Sequence, residues 1–250
     1  MKIGVYGLGR FGSFWAGAIA KNTPEAEVVA YSRNEHPLPE GVKRVGEDEV
    51  LSADMIFFCV AISSFEAVLE RVSGRIKKGA IVMDTCSVKT YPAKWMQKYL
   101  KDDDVYLVAT HPMFGPDSAK NGVKDLPLVL CPIEGENEAF IKVKELFSSW
   151  HLRVIVMSEK EHDLQAAYSQ GVTHFVGRTL KKLGIESTLI GTKGFNSLLQ
   201  IMEQTCNDPM QLFYDLQRYN PYTRKMRKEL SNAFSYVDGQ VEAVEEPEFE

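Results

Sequence analysis

Short apolar runs alternate with helical patterns over the first part of the chain. The runs have the length of buried strands, and between them apolar positions recur three and four residues apart, as on one face of a helix. This alternation favours right-handed crossovers and a mostly parallel sheet covered by helices. The predicted strands are Ile3–Tyr6, Glu27–Tyr31, Asp54–Val60, Ala80–Asp84, Val105–Ala109, Leu128–Cys131 and a last strand at Leu152–Met157. The predicted helices are Ser13–Lys21, Ser64–Val72, Ala93–Leu100 and Asn137–Trp150.

From about residue 158 the pattern becomes helical throughout. Gly184 is placed to end one of these helices, and Asp208 before Pro209 is placed to begin another as its N-cap. We therefore predict an α/β domain over residues 1–157 and an all-helical domain over residues 158–250. A helical domain of this size has little core of its own, and we expect it to complete that core in a homodimer. The predicted helices of this part are Ser158–Leu183, Phe195–Cys206, Asp208–Tyr219 and Tyr222–Phe234.

Composition narrows the class of protein. The chain of 250 residues is 44% hydrophobic and 25% charged, which is typical of a globular protein. Its formal net charge of −5 argues against a general nucleic-acid binder. No apolar run approaches the roughly 20 residues that span a bilayer, so we expect no membrane segment. The four cysteines are scattered without a CxxC pair. We interpret them as reduced thiols of a cytoplasmic protein and expect no metal site.

The strongest local signal is a glycine-rich turn, Gly7-Leu8-Gly9-Arg10-Phe11-Gly12, between a predicted strand and a predicted helix. In such a turn the first glycine bends the chain, the second lets a pyrophosphate approach the backbone, and the third lets helix and strand pack closely. A plain structural turn is the alternative, but the strand and helix on either side favour dinucleotide binding. We predict a Rossmann-type domain whose cofactor contacts include Gly7, Gly9, Arg10, Phe11 and Gly12.

The second strand ends in Tyr31-Ser32-Arg33-Asn34, where an NAD-binding protein would place a carboxylate for the ribose 2′-hydroxyl. A hydroxyl and a planar guanidinium are instead suited to a 2′-phosphate. We therefore predict NADP as the cofactor, bound by Ser32 and Arg33, with NAD as the alternative. The other interpretation of Arg33 is a solvated loop residue.

Two further segments, Asp84–Lys89 (DTCSVK) and His111–Asp117 (HPMFGPD), follow predicted strands at the sheet edge where ligands bind in open α/β sheets. A later helix begins with Glu161-His162-Asp163 and carries His174 further along. With these segments the whole chain resembles the prephenate/arogenate dehydrogenase family of tyrosine biosynthesis.

The resemblance implies an oxidative decarboxylation of prephenate to 4-hydroxyphenylpyruvate, or of arogenate to tyrosine. It implies that His111 is the catalytic base, since a neutral imidazole can accept a proton at working pH. It implies that Ser87 hydrogen-bonds and orients this histidine, whereas His162 has a structural role. It also implies a homodimer.

Four residues are expected to contact the substrate. His174 and Asp117 match substrate-side positions of the family, with packing as the alternative for His174. Lys89 closes the first of the two motifs, with a cofactor contact or a solvated lysine as its alternatives. The two substrate carboxylates need cationic partners. The available candidates are Arg178, Arg218, Arg224 and Arg227. Arg178 lies four residues after His174 and hence on the same helix face.

Two other classes share this fold. One is an oxidoreductase of the β-hydroxyacid dehydrogenase type, which lacks the HPMFGP segment and uses a later lysine. The other is a non-catalytic NADP-sensing protein, which would have no need for Ser87 and His111 together at one sheet edge. Fold alone does not separate these classes.

Overall fold

The computed structural model of the protein describes residues 1–244 and divides them into two compact units. The first comprises Met1–Asp163, and the second begins at Leu164. The sequence pattern predicted this division slightly earlier, after residue 157. The difference arises because Asp163, in the helix that begins at Glu159, accepts hydrogen bonds from the amides of Lys89 and Thr90 in the first unit. Residues 245–250 of the predicted helical domain lie outside the described residues.

The first unit is built on one eight-stranded sheet in the order β3-β2-β1-β4-β5-β6-β7-β8. Neighbouring strands are parallel, except that β6 and β7 are antiparallel. All predicted strands are present. The additional β3 was not predicted, because its three residues include only one buried side chain and so leave no alternating pattern. The strands are β1 Lys2–Tyr6, β2 Glu27–Tyr31, β3 Val42–Arg44, β4 Met55–Phe58, β5 Ile81–Asp84, β6 Tyr106–Pro112, β7 Pro127–Cys131 and β8 Arg153–Val156.

An aromatic core holds the helices of this unit to the sheet. Trp15 is completely buried, and its ring centroid lies 5.6–5.8 Å from those of Phe57, Phe147 and Trp150. Burying such large rings contributes several kcal/mol in total, by the usual rate of about 25 cal/mol per Å² of apolar surface. The helices are α1 Arg10–Asn22, α2 Glu47–Leu51, α3 Ile62–Val72, α4 Thr90–Leu100 and α5 Glu138–Ser149.

The strand order reverses direction between β1 and β4, which lie side by side in the middle of the sheet. In open α/β sheets, ligands bind in the crevice outside the carboxyl ends of the strands at such a reversal. The glycine-rich turn follows β1, and the loop from Cys59 to Ala61 follows β4. The fold therefore places the predicted cofactor loop at the expected crevice, and the predicted α/β class is confirmed.

Beyond the sheet the chain is helical, as predicted, with α6 leading from the first unit into the second. The single helix predicted at Ser158–Leu183 is interrupted by a π-turn at Ala167–Gly171. Gln217 donates a hydrogen bond of 3.1 Å to the carbonyl of Gly171 at the end of this turn. The helices are α6 Glu159–Ala166, α7 Val172–Leu183, α8 Lys193–Asn207, α9 Met210–Tyr219 and α10 Thr223–Glu242.

Helix ends in the second unit follow the sequence signals in one case and depart from them in another. Gly184 ends α7 in the left-handed conformation, with φ of 80°, as predicted. Asp208 was predicted as an N-cap, but the N-cap of α9 is Pro209, whose carbonyl accepts from the amides of Leu212 and Phe213. Asp208 instead ends α8. None of the helices within residues 1–244 is long and apolar enough to cross a membrane.

Candidate active site

The glycine-rich turn forms a cradle that only glycine permits. Gly7 has φ of +106°, and a Cβ atom there would lie 2.6 Å from the carbonyl oxygen of Cys59. A Cβ at Gly12 would lie 1.9 Å from the carbonyl oxygen of Gly7. At Gly9, the N-cap of α1, a Cβ would meet no atom within 4 Å. Close packing on two sides and open space at the helix N-terminus fit a pyrophosphate at Gly9.

The walls of this crevice carry the predicted Ser32 and Arg33, the latter exposed. Arg71 on α3 also lines the crevice, which the sequence analysis did not predict. Its guanidinium lies 2.7 Å from Glu47 and donates to the hydroxyl of Tyr6. No sequence signal linked these residues, because they lie on separate elements that meet only in the folded sheet. The crevice therefore offers two guanidinium groups near the end of β2.

Arg10 and Asp117 were predicted to contact the cofactor and the substrate respectively, and the structure brings them together. A guanidinium nitrogen of Arg10 lies 2.6 Å from the carboxylate of Asp117. The side chain of Phe11, also predicted at the cofactor, stacks instead on Trp15 with centroids 5.8 Å apart. The phosphate turn is thus joined to the HPMFGPD loop by an ion pair, while Phe11 belongs to the core.

His111 lies on β6 as part of a line of three buried side chains. Its Nδ1 atom is 2.8 Å from Nε2 of His162, whose Nδ1 is 2.9 Å from a carboxylate oxygen of Asp163. The exposed fractions of the three residues are 4%, 2% and 0%. No hydrogen bond is formed by Nε2 of His111 within the described residues. This arrangement leaves one imidazole nitrogen of His111 for a ligand.

The predicted hydrogen bond from Ser87 to His111 is not formed. The hydroxyl of Ser87 is buried and has no hydrogen-bond partner among the described residues. The contact that orients His111 comes from His162, to which the sequence analysis gave only a structural role. The motif Glu161-His162-Asp163 was the sequence signal for this role, because a histidine directly before an aspartate on a buried helix face can pair in this way. The sequence did not show that this face meets β6.

Lys89 was predicted to contact the substrate, but the structure gives it a different place. The side chain is completely buried, and its ammonium pairs with Asp84 and donates to the carbonyl of Thr110 at 2.6 Å. Asp84 also accepts from the amide of Thr110 at 3.1 Å. These contacts tie the end of β5 to the residue before His111. Lys89 thus holds the backbone that carries the imidazole.

Electrostatics keep both histidines neutral. Burial, and then the neighbouring His162 and Lys89, hold the pKa of His111 well below the usual histidine value of 6.5. Burial likewise lowers the pKa of His162, against the opposing effect of Asp163. Hydrogen bonds from His162 and Thr90 lower the pKa of the Asp163 carboxyl, even though burial acts to raise it. At neutral pH the three groups are therefore two neutral imidazoles and one carboxylate.

The two predicted substrate residues of the second unit lie near each other on α7. His174 is buried, and its Nδ1 has no hydrogen-bond partner among the described residues. Burial, and then Arg178, lower the pKa of His174 to about 4. Arg178 donates to the carbonyls of Thr205 and Asp208, at 3.1 and 2.7 Å. The guanidinium predicted to grip a substrate carboxylate therefore caps the end of α8.

Two protein-family models match the chain. Residues 15–156 match the prephenate dehydrogenase nucleotide-binding domain, and residues 179–249 match the TYRAAT1-like C-terminal domain. Arogenate dehydrogenase 2, chloroplastic, of Arabidopsis thaliana is 33% identical over 95% of this chain and 69% of its own length. The chain belongs to the prephenate/arogenate dehydrogenase family. The resemblance stated from its motifs is confirmed.

Other family members agree with this assignment. Arogenate dehydrogenase 1, chloroplastic, of A. thaliana is 35% identical over 96% of the chain, which spans 39% of that protein's length. The crystal structure of A. aeolicus prephenate dehydrogenase in complex with hydroxyphenyl propionate and NAD+ superposes with a TM-score of 0.75. It covers 96% of this chain and 90% of its own, at 17% identity. Synechocystis arogenate dehydrogenase gives a TM-score of 0.65 at 21% identity, covering 96% and 93%. These two structures share the fold.

Proposed function

We propose that the protein oxidises prephenate or arogenate and that the ring carboxylate leaves as CO2. One observation supports this most directly. A buried, neutral imidazole at the carboxyl edge of the sheet has Nδ1 held by the protein and Nε2 without a partner in the described residues. A general base must be neutral and must offer a lone pair to the proton that it removes. His111 meets both requirements and lies at the same carboxyl edge of the sheet as the cradle suited to a dinucleotide.

The chemistry assigned to His111 is a proton transfer at one atom. Its Nε2 takes the proton of the substrate's ring hydroxyl, so that the oxygen becomes a carbonyl as hydride leaves the same carbon. The bound nicotinamide supplies the hydride acceptor. Loss of CO2 then returns the electron pair through the ring to the oxygen, which takes a proton and leaves an aromatic product. The buried Ser87 hydroxyl, unpartnered in the described residues, is proposed to bond a ligand in the same place.

Absorbance at 340 nm tests this function. Reduction of the cofactor with prephenate or with arogenate would support it, and the ratio of the two kcat/KM values would identify the preferred substrate. Failure with both substrates, in a protein that still binds the dinucleotide, would refute the proposed activity and leave a cofactor-sensing role.

The cofactor is proposed to be NADP. Ser32 and Arg33 stand where an NAD-binding protein would place an acid, and Arg71 adds a second guanidinium to the same crevice. A hydrogen bond to a charged group is worth roughly 1.5–3 kcal/mol, which corresponds to about 10- to 100-fold in affinity. Arg33→Ala is therefore expected to lower kcat/KM with NADP by about 10- to 100-fold and to leave the NAD value nearly unchanged.

Arg153→Ala removes an exposed arginine on β8, outside this crevice, and is the matched control. The loss in Arg33→Ala should shrink at high salt, because an exposed arginine–phosphate pair is screened. A wild-type protein that prefers NAD+ would show that Arg33 is only a solvated loop residue.

The protein is further proposed to be a homodimer through its second unit. Large apolar side chains of α10 are exposed, including Phe234, Val237 and Val241, at 56%, 60% and 68%. Their spacing of three and four residues puts them on one face of the helix. Few large side chains of this unit are buried, Leu216 and Met226 among them. An apolar face of this kind on a small helical unit is suited to a second copy. The cytoplasmic location stays a prediction.

Light scattering should show a dimer of the wild-type chain at micromolar concentration. Phe234→Glu combined with Val237→Glu is expected to shift it to a monomer, because each new carboxylate would have to be buried. Ile141→Glu changes an apolar residue of similar exposure, 46%, on α5 of the first unit and should leave the dimer intact. A monomeric wild-type chain, or a dimer that persists in the double variant, would contradict this interface.

A further inference from the structure

The line from Asp163 to His111 fixes where its hydrogens lie. Asp163 is an ionised carboxylate and can only accept hydrogen bonds. Its oxygens accept from the backbone amides of Lys89 and Thr90, at 2.7 and 2.9 Å, so its position is set by the start of α4. The nitrogen of His162 that faces it at 2.9 Å must therefore carry hydrogen. Asp163 thereby selects one of the two neutral forms of His162.

The neutral form of His162 in turn determines the neutral form of His111. A neutral His162 with hydrogen on Nδ1 has a lone pair on Nε2, and this atom lies 2.8 Å from Nδ1 of His111. The latter nitrogen must therefore donate, which leaves the lone pair of His111 on Nε2. In the opposite form of either ring, two N–H groups or two lone pairs would face each other inside the protein. Such a mismatch costs the full penalty of an unmade buried hydrogen bond.

Water favours the other form of histidine, with hydrogen on Nε2. A His111 that was free to choose would present that hydrogen to its ligand and could not accept a proton there. We propose that Asp163 and His162 are positioning residues that hold His111 in the tautomer whose Nε2 accepts a proton. This inference rests on the proposed role of His111 as the base, but the tautomer itself is a property of the resting protein.

Two substitutions of His162 separate its roles. The side-chain oxygen of Gln can occupy the place of Nε2 and accept from His111, while its amide donates to Asp163. The shorter side chain of Asn reaches only the position of Nδ1. His162→Asn is expected to lower kcat by at least about 10-fold. The loss should not exceed the roughly 10²- to 10⁴-fold loss that follows removal of a general base. His162→Gln should retain most of the wild-type kcat.

The pH profile gives a readout that a purely structural role would not move. The charged groups around the two rings are Lys89, Asp84 and Asp163. The acid limb of kcat/KM in the wild type should lie below pH 6.5, the usual histidine value. Protonated His162 lowers the pKa of His111, and both variants remove that charge, so the limb should move to higher pH in both. Only the Asn variant should also lose activity at its plateau.

Nitrogen-15 NMR of histidine-labelled protein tests the inference without any turnover. His111, assigned by the loss of its signals in His111→Asn, should carry hydrogen on Nδ1 at pH 8 in the wild type and in His162→Gln. In His162→Asn the hydrogen should move to Nε2. Hydrogen on Nε2 in the wild type would overturn the inference, even if a variant failed to fold. If the wild type shows the expected tautomer but His111→Asn is active, the proposed role of His111 as the base is refuted. The inference that Asp163 and His162 set the tautomer of His111 would still hold.

Discussion

His111→Asn is expected to lower kcat by about 10²- to 10⁴-fold, the usual contribution of a general base. The amide nitrogen of Asn can take the place of Nδ1 and still donate to His162, so the buried line of side chains keeps its hydrogen bonds. Cofactor affinity, measured by fluorescence titration, should therefore stay close to the wild-type value. The loss should appear in kcat for both prephenate and arogenate.

His151→Asn is the matched control for this substitution. His151 is exposed and has φ of 57°, a left-handed conformation that Asn adopts readily. Its kcat should not change. Near wild-type turnover in His111→Asn would show that another group removes the proton.

Lys89→Met is expected to destabilise the first unit by about 3–5 kcal/mol, the usual cost of leaving one partner of a buried ion pair alone. Asp84, at zero exposure, would lose the ammonium that is now its partner. The midpoint of urea denaturation should fall accordingly, at a fixed protein concentration because assembly also affects stability. The kcat of the variant should fall too, because Lys89 holds the carbonyl of Thr110, the residue before His111.

Lys98→Met offers a comparison at a solvent-exposed ion pair. Lys98 lies 3.1 Å from Glu66, with side-chain exposures of 60% and 41%. Water screens such a pair, and the denaturation midpoint should hardly move. The double substitution of Asp84→Asn with Lys89→Met removes both buried charges and should recover part of the loss. Equal midpoints for Lys89→Met and Lys98→Met would show that the buried pair stabilises nothing.

The sheet could be predicted because its strands are buried on both faces. Such strands appear in the sequence as continuous apolar runs, as in Met55–Phe58, where four residues in a row are buried. The glycine-rich turn could also be predicted, because close contacts at Gly7 and Gly12 exclude every residue with a Cβ atom. By contrast, β3 and α2 are short elements whose place is set by neighbours, and composition cannot indicate them.

The candidate site was predictable in its members but not in its pairings. Motif spacing pointed to His111 and Ser87, yet the partner of His111 is 51 residues away on a helix. A lysine beside a ligand-binding edge looks like a substrate contact, and only burial shows that Lys89 is an internal counterion. The same holds for Arg178, one of whose terminal nitrogens donates to the carbonyls of Thr205 and Asp208 at a helix end. Such roles depend on contacts between residues that are far apart in the chain, and the local sequence does not indicate those contacts.

The π-turn at Ala167–Gly171 has a consequence for how the segment tolerates changes in length. A π-turn holds one residue more than an α-helical turn, which advances by about 100° per residue. Both turns close about one full revolution, so removing one residue at Ala167–Gly171 would restore the regular α-helix and leave α7 facing nearly the same way. His174 would then keep its buried face. The second unit should therefore tolerate the loss of one residue in this turn better than the loss of one residue from α8, where no wider turn can absorb it.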